Sequence, residues 1–209
     1  VDTSLFADYE LTLFGLSDAV LDGGGDTQIL SVASSDVLTV QNITFSNGDS
    51  NEGGAINAYN VAAIDSRFEG NFSDFRGGAI WAYTVYSDGS TFVDNESAFG
   101  GAIYGDQGVE VVDSTFTGNS AEYGGAIFTY SADITASTFD TNSAQYLGGA
   151  VLADDEATVT NSTFVGNIAG DLGGAVLVED GTILQSTFLD NAADLGQAVT
   201  AWDAGTLEL

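Results

Sequence analysis

The 209-residue sequence contains no cysteine, methionine, histidine, lysine or proline. Without cysteine the chain has neither disulfides nor thiolate chemistry, and without histidine and lysine it lacks the usual bases of lyase chemistry. Arg67 and Arg76 are the two basic residues against 31 acidic ones, which gives a net charge of −29. Because phosphate neutralisation needs Lys and Arg, this composition excludes nucleic acid as a partner and disfavours an anionic membrane surface.

Long hydrophobic runs are also absent, and no stretch approaches the roughly 20 apolar residues of a membrane-spanning helix. We therefore expect no membrane insertion. Because Met is missing, we expect that a secretory signal has been removed before Val1 and that the protein is extracellular or on the cell surface. Repulsion among so many carboxylates needs screening, so we expect a halophilic protein with weak surface binding of Ca²⁺ or Mg²⁺ and no dedicated cofactor or metal site.

A repeat of about 24 residues dominates the sequence that remains. Phe recurs in steps of 23 to 25 residues, and a Gly-Gly phrase recurs at the same spacing. The Phe positions are Phe45, Phe68, Phe92, Phe116, Phe139, Phe164 and Phe188. Asn stands three places after Phe in six copies, namely Asn71, Asn95, Asn119, Asn142, Asn167 and Asn191. Seven copies with so little drift predict a repeat architecture.

Apolar residues alternate with period two before Phe and after Gly-Gly, which predicts strands and no helix. We predict an all-β fold, a right-handed parallel β-helix (β-solenoid) of about eight coils with about 24 residues per coil, over residues 19–209. Residues 1–18 are predicted to form a separate N-terminal strand, cap or donor segment. Coils stacked about 4.8 Å apart bury the apolar faces of their neighbours.

Stacking also assigns roles to the repeated residues. The six Asn residues are expected to form a ladder at a corner, in which each amide bonds those above and below and the Asn backbone is left-handed. The Gly pair is expected where the backbone turns tightly or packs closely. The residues before Gly-Gly are expected to point inward, and they are Phe99, Tyr123, Leu147, Leu172 and Leu195.

The phrase Phe-x-x-Asn followed by Gly-Gly-Ala-Ile or Gly-Gly-Ala-Val resembles the repeat of the polymorphic outer membrane proteins of chlamydiae. Many other secreted, pectate-lyase-like right-handed parallel β-helix proteins share this repeat. The resemblance covers about Val37 to Trp202. It implies the fold, together with surface display and adhesion, and it brings no catalytic residues to this chain.

We do not expect an enzyme. Acid hydrolysis of glycans needs carboxylates that converge on one groove. The densest acidic cluster is Asp154-Asp155-Glu156, and neighbours along a strand point to opposite faces. Arg76 has a structural interpretation, because its equivalent one coil earlier is Glu52 and the two are expected to pair.

Four Asn-x-Ser/Thr sequons are possible glycosylation sites. They are Asn42, Asn71, Asn95 and Asn161. Since Asn and Ser or Thr both belong to the repeat, chance explains most of them.

An outward apolar stripe is unexpected on so acidic a chain. Successive coils carry large apolar side chains after Gly-Gly-Ala, and tyrosines follow two places later in some coils. The stripe consists of Trp81, Tyr83, Tyr104, Phe128, Tyr130, Leu152 and Leu177. We predict that it is an interface, covered by another chain or by the N-terminal segment, because apolar area favours removal from water.

The N-terminal run LFADYELTLF has the alternation of a strand and shows no match to the repeat register. We predict a polymerisation strand that pairs with a neighbouring subunit, and the alternative is a cap on its own first coil. Its residues are Leu5, Phe6, Tyr9, Leu11, Leu13 and Phe14.

These features favour a structural, non-enzymatic extracellular protein whose partner is itself. We predict a filament or cell-surface subunit that polymerises head-to-tail. The alternative is an adhesin-like module that binds a surface protein, a receptor or a glycan. A polysaccharide-active enzyme is the least favoured reading.

Overall fold

The computed structural model describes residues 10–201 and 207–208, with side chains for residues 10–32 and 37–201. These residues form 22 β-strands, and no helix able to cross a membrane is found among them. The strands are β1 (Leu11–Asp22), β2 (Leu30–Ser46), β3 (Asp49–Glu52), β4 (Ile56–Ile64), β5 (Arg67–Glu69), β6 (Phe72–Arg76), β7 (Ile80–Asp88), β8 (Thr91–Val93), β9 (Glu96–Phe99), β10 (Ile103–Val112), β11 (Thr115–Thr117), β12 (Ser120–Tyr123), β13 (Ile127–Thr135), β14 (Thr138–Asp140), β15 (Ser143–Leu147), β16 (Val151–Thr160), β17 (Thr163–Val165), β18 (Ile168–Ala169), β19 (Val176–Leu184), β20 (Thr187–Leu189), β21 (Val199–Ala201) and β22 (Leu207–Glu208).

The strands stack as a parallel β-solenoid of about eight turns, which confirms the predicted fold class. A typical coil contains a long strand such as β10, a three-residue strand such as β11 and a strand of a separate sheet such as β12. Equivalent strands of successive coils pair in parallel, so that Phe116 lies between Phe92 and Phe139. The long and short strands form one 16-stranded sheet, and the third set forms a six-stranded sheet.

A column of phenylalanines runs through the core. The rings from Phe45 to Phe164 are fully buried, and the stack continues to the partly buried Phe188. Neighbouring ring centroids are 4.5 to 5.0 Å apart, with interplanar angles of 2 to 6°. Burial of each ring contributes about 1.5–3 kcal/mol, which explains why Phe recurs at this position.

The Asn residues form a continuous buried ladder beside the Phe column. In the middle of the ladder the Asn119 amide Nδ2 donates to Asn142 Oδ1 at 2.9 Å and to the Phe92 carbonyl oxygen at 3.1 Å. Asn119 Oδ1 accepts from the Asn95 backbone N–H and from Asn95 Nδ2, at 3.0 and 2.9 Å. Gly48 occupies this position in the first repeat, where its N–H donates to Asn71 Oδ1. Each inner Asn thus satisfies two backbone groups and two neighbouring side chains.

The left-handed backbone that we expected at Asn lies one residue earlier. Asp94 has φ 51°, and Gly118 has φ 66°. A second left-handed position precedes the buried Ser of each repeat, as at Asp65 and Asp113. Asn, Asp and Gly adopt this geometry with least strain and fill most of these turn positions, while Ala136, Thr141 and Gln185 fill the others.

The Gly pair is required at the turn that leads from the third strand of one coil to the long strand of the next, for example from β12 to β13, as predicted. Gly124 has φ 64°, and a Cβ at Gly125 would collide with the Gly149 carbonyl oxygen of the next coil. The first Gly supplies the left-handed turn, and the second allows two backbones to approach closely.

The N-terminal strand lies in the repeat register, so our expectation that it has no place there is wrong. The Cα partners of β1 and β2 include Leu11 with Leu38, Leu13 with Val40 and Leu21 with Phe45. The match is hidden in the sequence because the chain takes five residues from Phe14 to Ala19 where β2 takes two from Gln41 to Ile43. Strand β1 also runs through the predicted boundary between residues 18 and 19.

Candidate interaction surfaces

The outward stripe packs on the outside of the Gly-Gly corner. The Tyr104 and Phe128 rings stack with centroids 5.2 Å apart, and Phe99 meets Phe128 edge-on at 5.6 Å. Phe99 also stacks on Tyr123 at 5.2 Å. The residues on both sides of the Gly pair therefore form a small outer cluster, separate from the main core.

This packing corrects the predicted inward column. Phe99, Tyr123, Leu147 and Leu172 are only partly buried, Leu195 is exposed, and none belongs to the buried core. The left-handed first Gly breaks the inward–outward alternation of the strand, so the residue before it lies outside.

Arg76 covers the N-terminal part of this cluster. Its guanidinium carbon lies 5.1 Å from the Tyr104 ring centroid and 5.3 Å from that of Phe75. The predicted pair with Glu52 is confirmed, with Nη1 and Oε1 3.9 Å apart. Burial raises the pKa of the Tyr104 hydroxyl, while the charge of Arg76 lowers it. Arg76 therefore shields one side of the aromatic cluster from solvent.

The same chain covers much of the predicted interface stripe. Leu152 and Leu177 are 2% and 0% exposed, which removes them as contact residues for a partner. Trp81, Tyr104 and Phe128 are partly buried, and the Trp81 indole N–H is buried without a hydrogen-bond partner among the described residues. Tyr83 and Tyr130 are exposed, so they are the stripe residues that remain accessible.

Two of the exposed tyrosines stack on each other, and Tyr130 bonds an acidic side chain. Tyr83 stacks on the exposed Tyr59 with centroids 4.9 Å apart, and its hydroxyl lies 3.2 Å from Gln107 Oε1. A hydrogen bond with Asp155 raises the pKa of the Tyr130 hydroxyl. Rings stacked along the solenoid axis leave hydroxyls and edges for a partner, and they offer no free ring face between them for a stacked ligand.

Burial separates the four possible glycosylation sites into two pairs. Asn42 and Asn161 are exposed at left-handed turns. Asn71 and Asn95 are 1% and 0% exposed, and their amides bond within the ladder. The folded chain therefore offers Asn42 and Asn161 as acceptors and does not offer the two ladder residues.

The acidic cluster on β16 and the Gly-rich N-terminal loop contain carboxyl groups with shifted pKa values. Burial raises the pKa of the Asp154 carboxyl, while Asp155 serves as partner of Tyr130. Asp22 Oδ1 accepts from the Gly24 N–H at 2.9 Å, a bond that lowers the pKa of its carboxyl. Among the described residues no group of three acidic side chains is placed to hold a metal ion.

Exposed aliphatic side chains concentrate at the two ends of the solenoid. At the N-terminal end they are Leu11, Leu16, Val20 and Leu21, and at the C-terminal end they are Leu184, Leu189 and Leu195. Among the described residues between these ends, Val37 and Ile168 are the exposed large aliphatic side chains. Leu11, Leu13 and Phe14 of the predicted polymerisation strand lie in β1, while Leu5, Phe6 and Tyr9 lie outside the described residues.

Residues 113–130 match the family model of the Chlamydia polymorphic membrane protein (Chlamydia_PMP) repeat. The repeat is of the chlamydial polymorphic membrane protein type. No curated protein and no solved structure matches the chain.

The matched residues of this polymorphic membrane protein-type repeat are those that build the coil. They include the Phe of the core stack, the Asn of the ladder and the Gly pair of the corner, at Phe116, Asn119 and Gly124–Gly125. The match and the β-solenoid fold fit a surface or outer-membrane-type protein. The stripe and the two ends are the candidate contact surfaces, so a more detailed function depends on them.

Proposed function

We propose that this protein is a non-enzymatic structural component of a cell surface, which assembles copy on copy, head-to-tail, into an extracellular filament or layer. The observation that carries the proposal is that both ends combine exposed aliphatic side chains with strand edges that are unpaired among the described residues. Strands β1, β20 and β21 each pair on one side only. A parallel solenoid presents different edges at its two ends, so copies that join end to end form an open chain.

The composition supports assembly in a screened environment. The chain carries 31 acidic residues, and its two arginines are paired, Arg67 with Glu69 of the same coil and Arg76 with Glu52 of the preceding coil. Exposed carboxylates at both ends repel each other when copies approach, and this repulsion falls as the Debye length shortens from about 10 Å at 0.1 M salt to about 3 Å at 1 M.

The exposed tyrosines favour a second candidate, an adhesin-like module that binds another surface protein. Tyr59, Tyr83 and Tyr130 lie on one outer face, and tyrosine hydroxyls on exposed rings are typical of protein-binding surfaces. The composition does not support an enzyme, since the chain has no histidine or lysine.

Light scattering and sedimentation from low to molar salt test the proposal. We expect the average mass of purified protein to rise with salt and to fall again on dilution into low salt. Leu189→Glu should reduce assembly, because it places a charge on the C-terminal end. Ile168→Glu is the matched control, since Ile168 is also 53% exposed but lies on the side of the solenoid. A monomer at every salt concentration, or equal loss in both variants, would contradict the proposal.

A further inference from the structure

A shallow groove runs along the side of the solenoid, across the long strands of successive coils. It has a volume of about 690 Å³, and most of its lining comes from β4, β7, β10, β13 and β16. From Asn60 in β4 to Glu156 in β16 it crosses five coils, which is about 19 Å at roughly 4.8 Å per coil. The groove therefore lies between the two ends that the proposed assembly uses.

One column of the lining consists of small residues. Asn60, Thr84, Gly108 and Ser131 follow one another in register along the axis. Thr84 Oγ1 donates to Asn60 Oδ1 at 2.6 Å, and Ser131 Oγ donates to the Gln107 carbonyl oxygen at 3.1 Å. These short side chains bond within the chain and leave room above the sheet, so this column forms the floor of the groove.

The neighbouring column carries larger and acidic side chains. Tyr86, Glu110 and Asp133 stand in register in three successive coils. Glu156 continues the floor column in the coil after Ser131. The three carboxylates are exposed, and the lining includes neither arginine. The groove therefore presents three negative charges over two coil steps, roughly 10 Å.

The placement of these acids differs from that of the other acids in the chain. Like charges directly opposite each other across a strand pair are destabilising. In the strand pairs of the described residues such opposition occurs twice, between Glu110 and Asp133 and between Glu156 and Asp180. Three of these four residues line the groove, although the chain has 31 acids. The fold thus accepts a local cost in stability at the groove, which is typical of functional sites.

Tyr86 gives the groove an aromatic surface beside the carboxylates. It is the strand neighbour of Glu110, and its hydroxyl donates to Asp88 Oδ2 at 3.3 Å. Burial raises the pKa of the Tyr86 hydroxyl, and the charges of Asp88, Glu110 and Asp113 raise it further. A guanidinium group that pairs with Glu110 therefore also reaches the Tyr86 ring, where cation–π attraction adds to the ion pair.

We propose that this groove binds an extended, arginine-rich segment of another protein. Charge complementarity favours such a partner over a second copy of this chain, whose net charge is −29. Extended backbone advances about 3.3 Å per residue, so about six residues fill the groove. The proposal is independent of head-to-tail assembly. It deepens the second candidate function, an adhesin-like module, by naming the chemistry of its partner.

Binding of a synthetic peptide tests the groove. The probe is a fluorescent hexapeptide in which arginine and serine alternate, and its binding is measured by anisotropy in low salt. The groove variant carries Glu110→Gln, Asp133→Asn and Glu156→Gln. The control variant has the same net charge, because it replaces three exposed acids of the six-stranded sheet. Its substitutions are Asp74→Asn, Glu96→Gln and Glu122→Gln.

We expect the dissociation constant of the groove variant to rise at least about tenfold, since each exposed ion pair contributes roughly two- to fivefold. The control variant should change it by less than about twofold, because its acids lie on another face. Tyr86→Ser should weaken binding, whereas Tyr86→Phe keeps the ring and should bind as the parent chain does. Circular dichroism verifies that every variant folds.

Several outcomes would overturn the proposal. Equal loss in the groove and control variants would mean that binding follows net charge alone, and the parent chain might equally fail to bind the peptide at all. Equally tight binding of spermine, with the same dependence on the groove acids, would mark a general cation site, since this linear amine has no peptide backbone. Both triple variants should assemble alike in molar salt, so the groove and the head-to-tail assembly are tested separately.

Discussion

Substitution of Asn119 by alanine should destabilise the solenoid more than any exposed substitution in the same coil. The change removes four buried hydrogen bonds, two donated by the Asn119 amide and two accepted by its oxygen. Asn95 then has a backbone N–H and an amide hydrogen without an acceptor, and the Phe92 carbonyl oxygen loses a donor.

The magnitude follows from the cost of unsatisfied buried groups. Each orphaned donor costs about 1–3 kcal/mol, and the other lost bonds contribute about 1 kcal/mol each. A water molecule in the vacated space offsets part of this loss. We therefore expect a decrease of about 3–6 kcal/mol in the free energy of unfolding.

Urea unfolding followed by circular dichroism, at one fixed molar salt concentration, measures this difference. Thr117→Ala is the matched control, because Thr117 lies two residues earlier and is partly exposed, and a change of about 0.5 kcal/mol or less is expected there. Asn191→Ala should lie between the two, since Asn191 makes three ladder bonds at the end of the stack. If Asn119→Ala falls within 1 kcal/mol of Thr117→Ala, the ladder does not stabilise the fold as argued.

Three further predictions concern charge, packing and pH. The thermal midpoint should rise from low to molar salt because screening weakens repulsion among the 31 acids, and a flat or falling curve would contradict this. Gly125→Ala should prevent cooperative unfolding or lower the midpoint strongly, since its Cβ would collide with the Gly149 carbonyl oxygen. Gly108→Ala should cost little, because its Cβ would lie 3.3 Å from the Ser131 hydroxyl and 3.8 Å from the Ser131 carbonyl oxygen; equal effects in thermal melts would refute the packing argument. Burial raises the pKa of Asp154, so its charged form is disfavoured in the folded state and stability increases as pH falls through that pKa. Asp154→Asn should therefore stabilise the protein at neutral pH and lose this advantage once the parent carboxyl is protonated, and a pH-independent difference between the two melting curves would show that the charge is not responsible.

Because the sequence repeats, the residues that line the interior of each coil could be predicted. Phe116 and Asn119 recur at a spacing that stacking alone explains, so the core column and the ladder could be predicted before their geometry was known. The pairing of Arg76 with Glu52 could be predicted for the same reason, because equivalent positions of adjacent coils are neighbours.

Local backbone geometry limited the rest of the prediction. Strand alternation placed Phe99 inside, but the left-handed Gly100 that follows interrupts the alternation and turns Phe99 to the outer cluster. Alternation also predicts an outward stripe that another chain covers, whereas Leu177 is covered by its own chain. The extra residues between Phe14 and Ala19 concealed the register of β1 on β2, since a search for a fixed period does not tolerate them.

The axial rise of the assembled protein tests the central claim most directly. The column from Leu11 to Leu207 has nine levels, so copies stacked end to end at about 4.8 Å per level are expected to show a rise of at least about 43 Å per subunit. Cryo-electron microscopy of protein assembled in molar salt should show filaments one solenoid wide with a rise in this range. Particles that remain single solenoids in molar salt, or filaments in which copies contact side by side, would contradict the account.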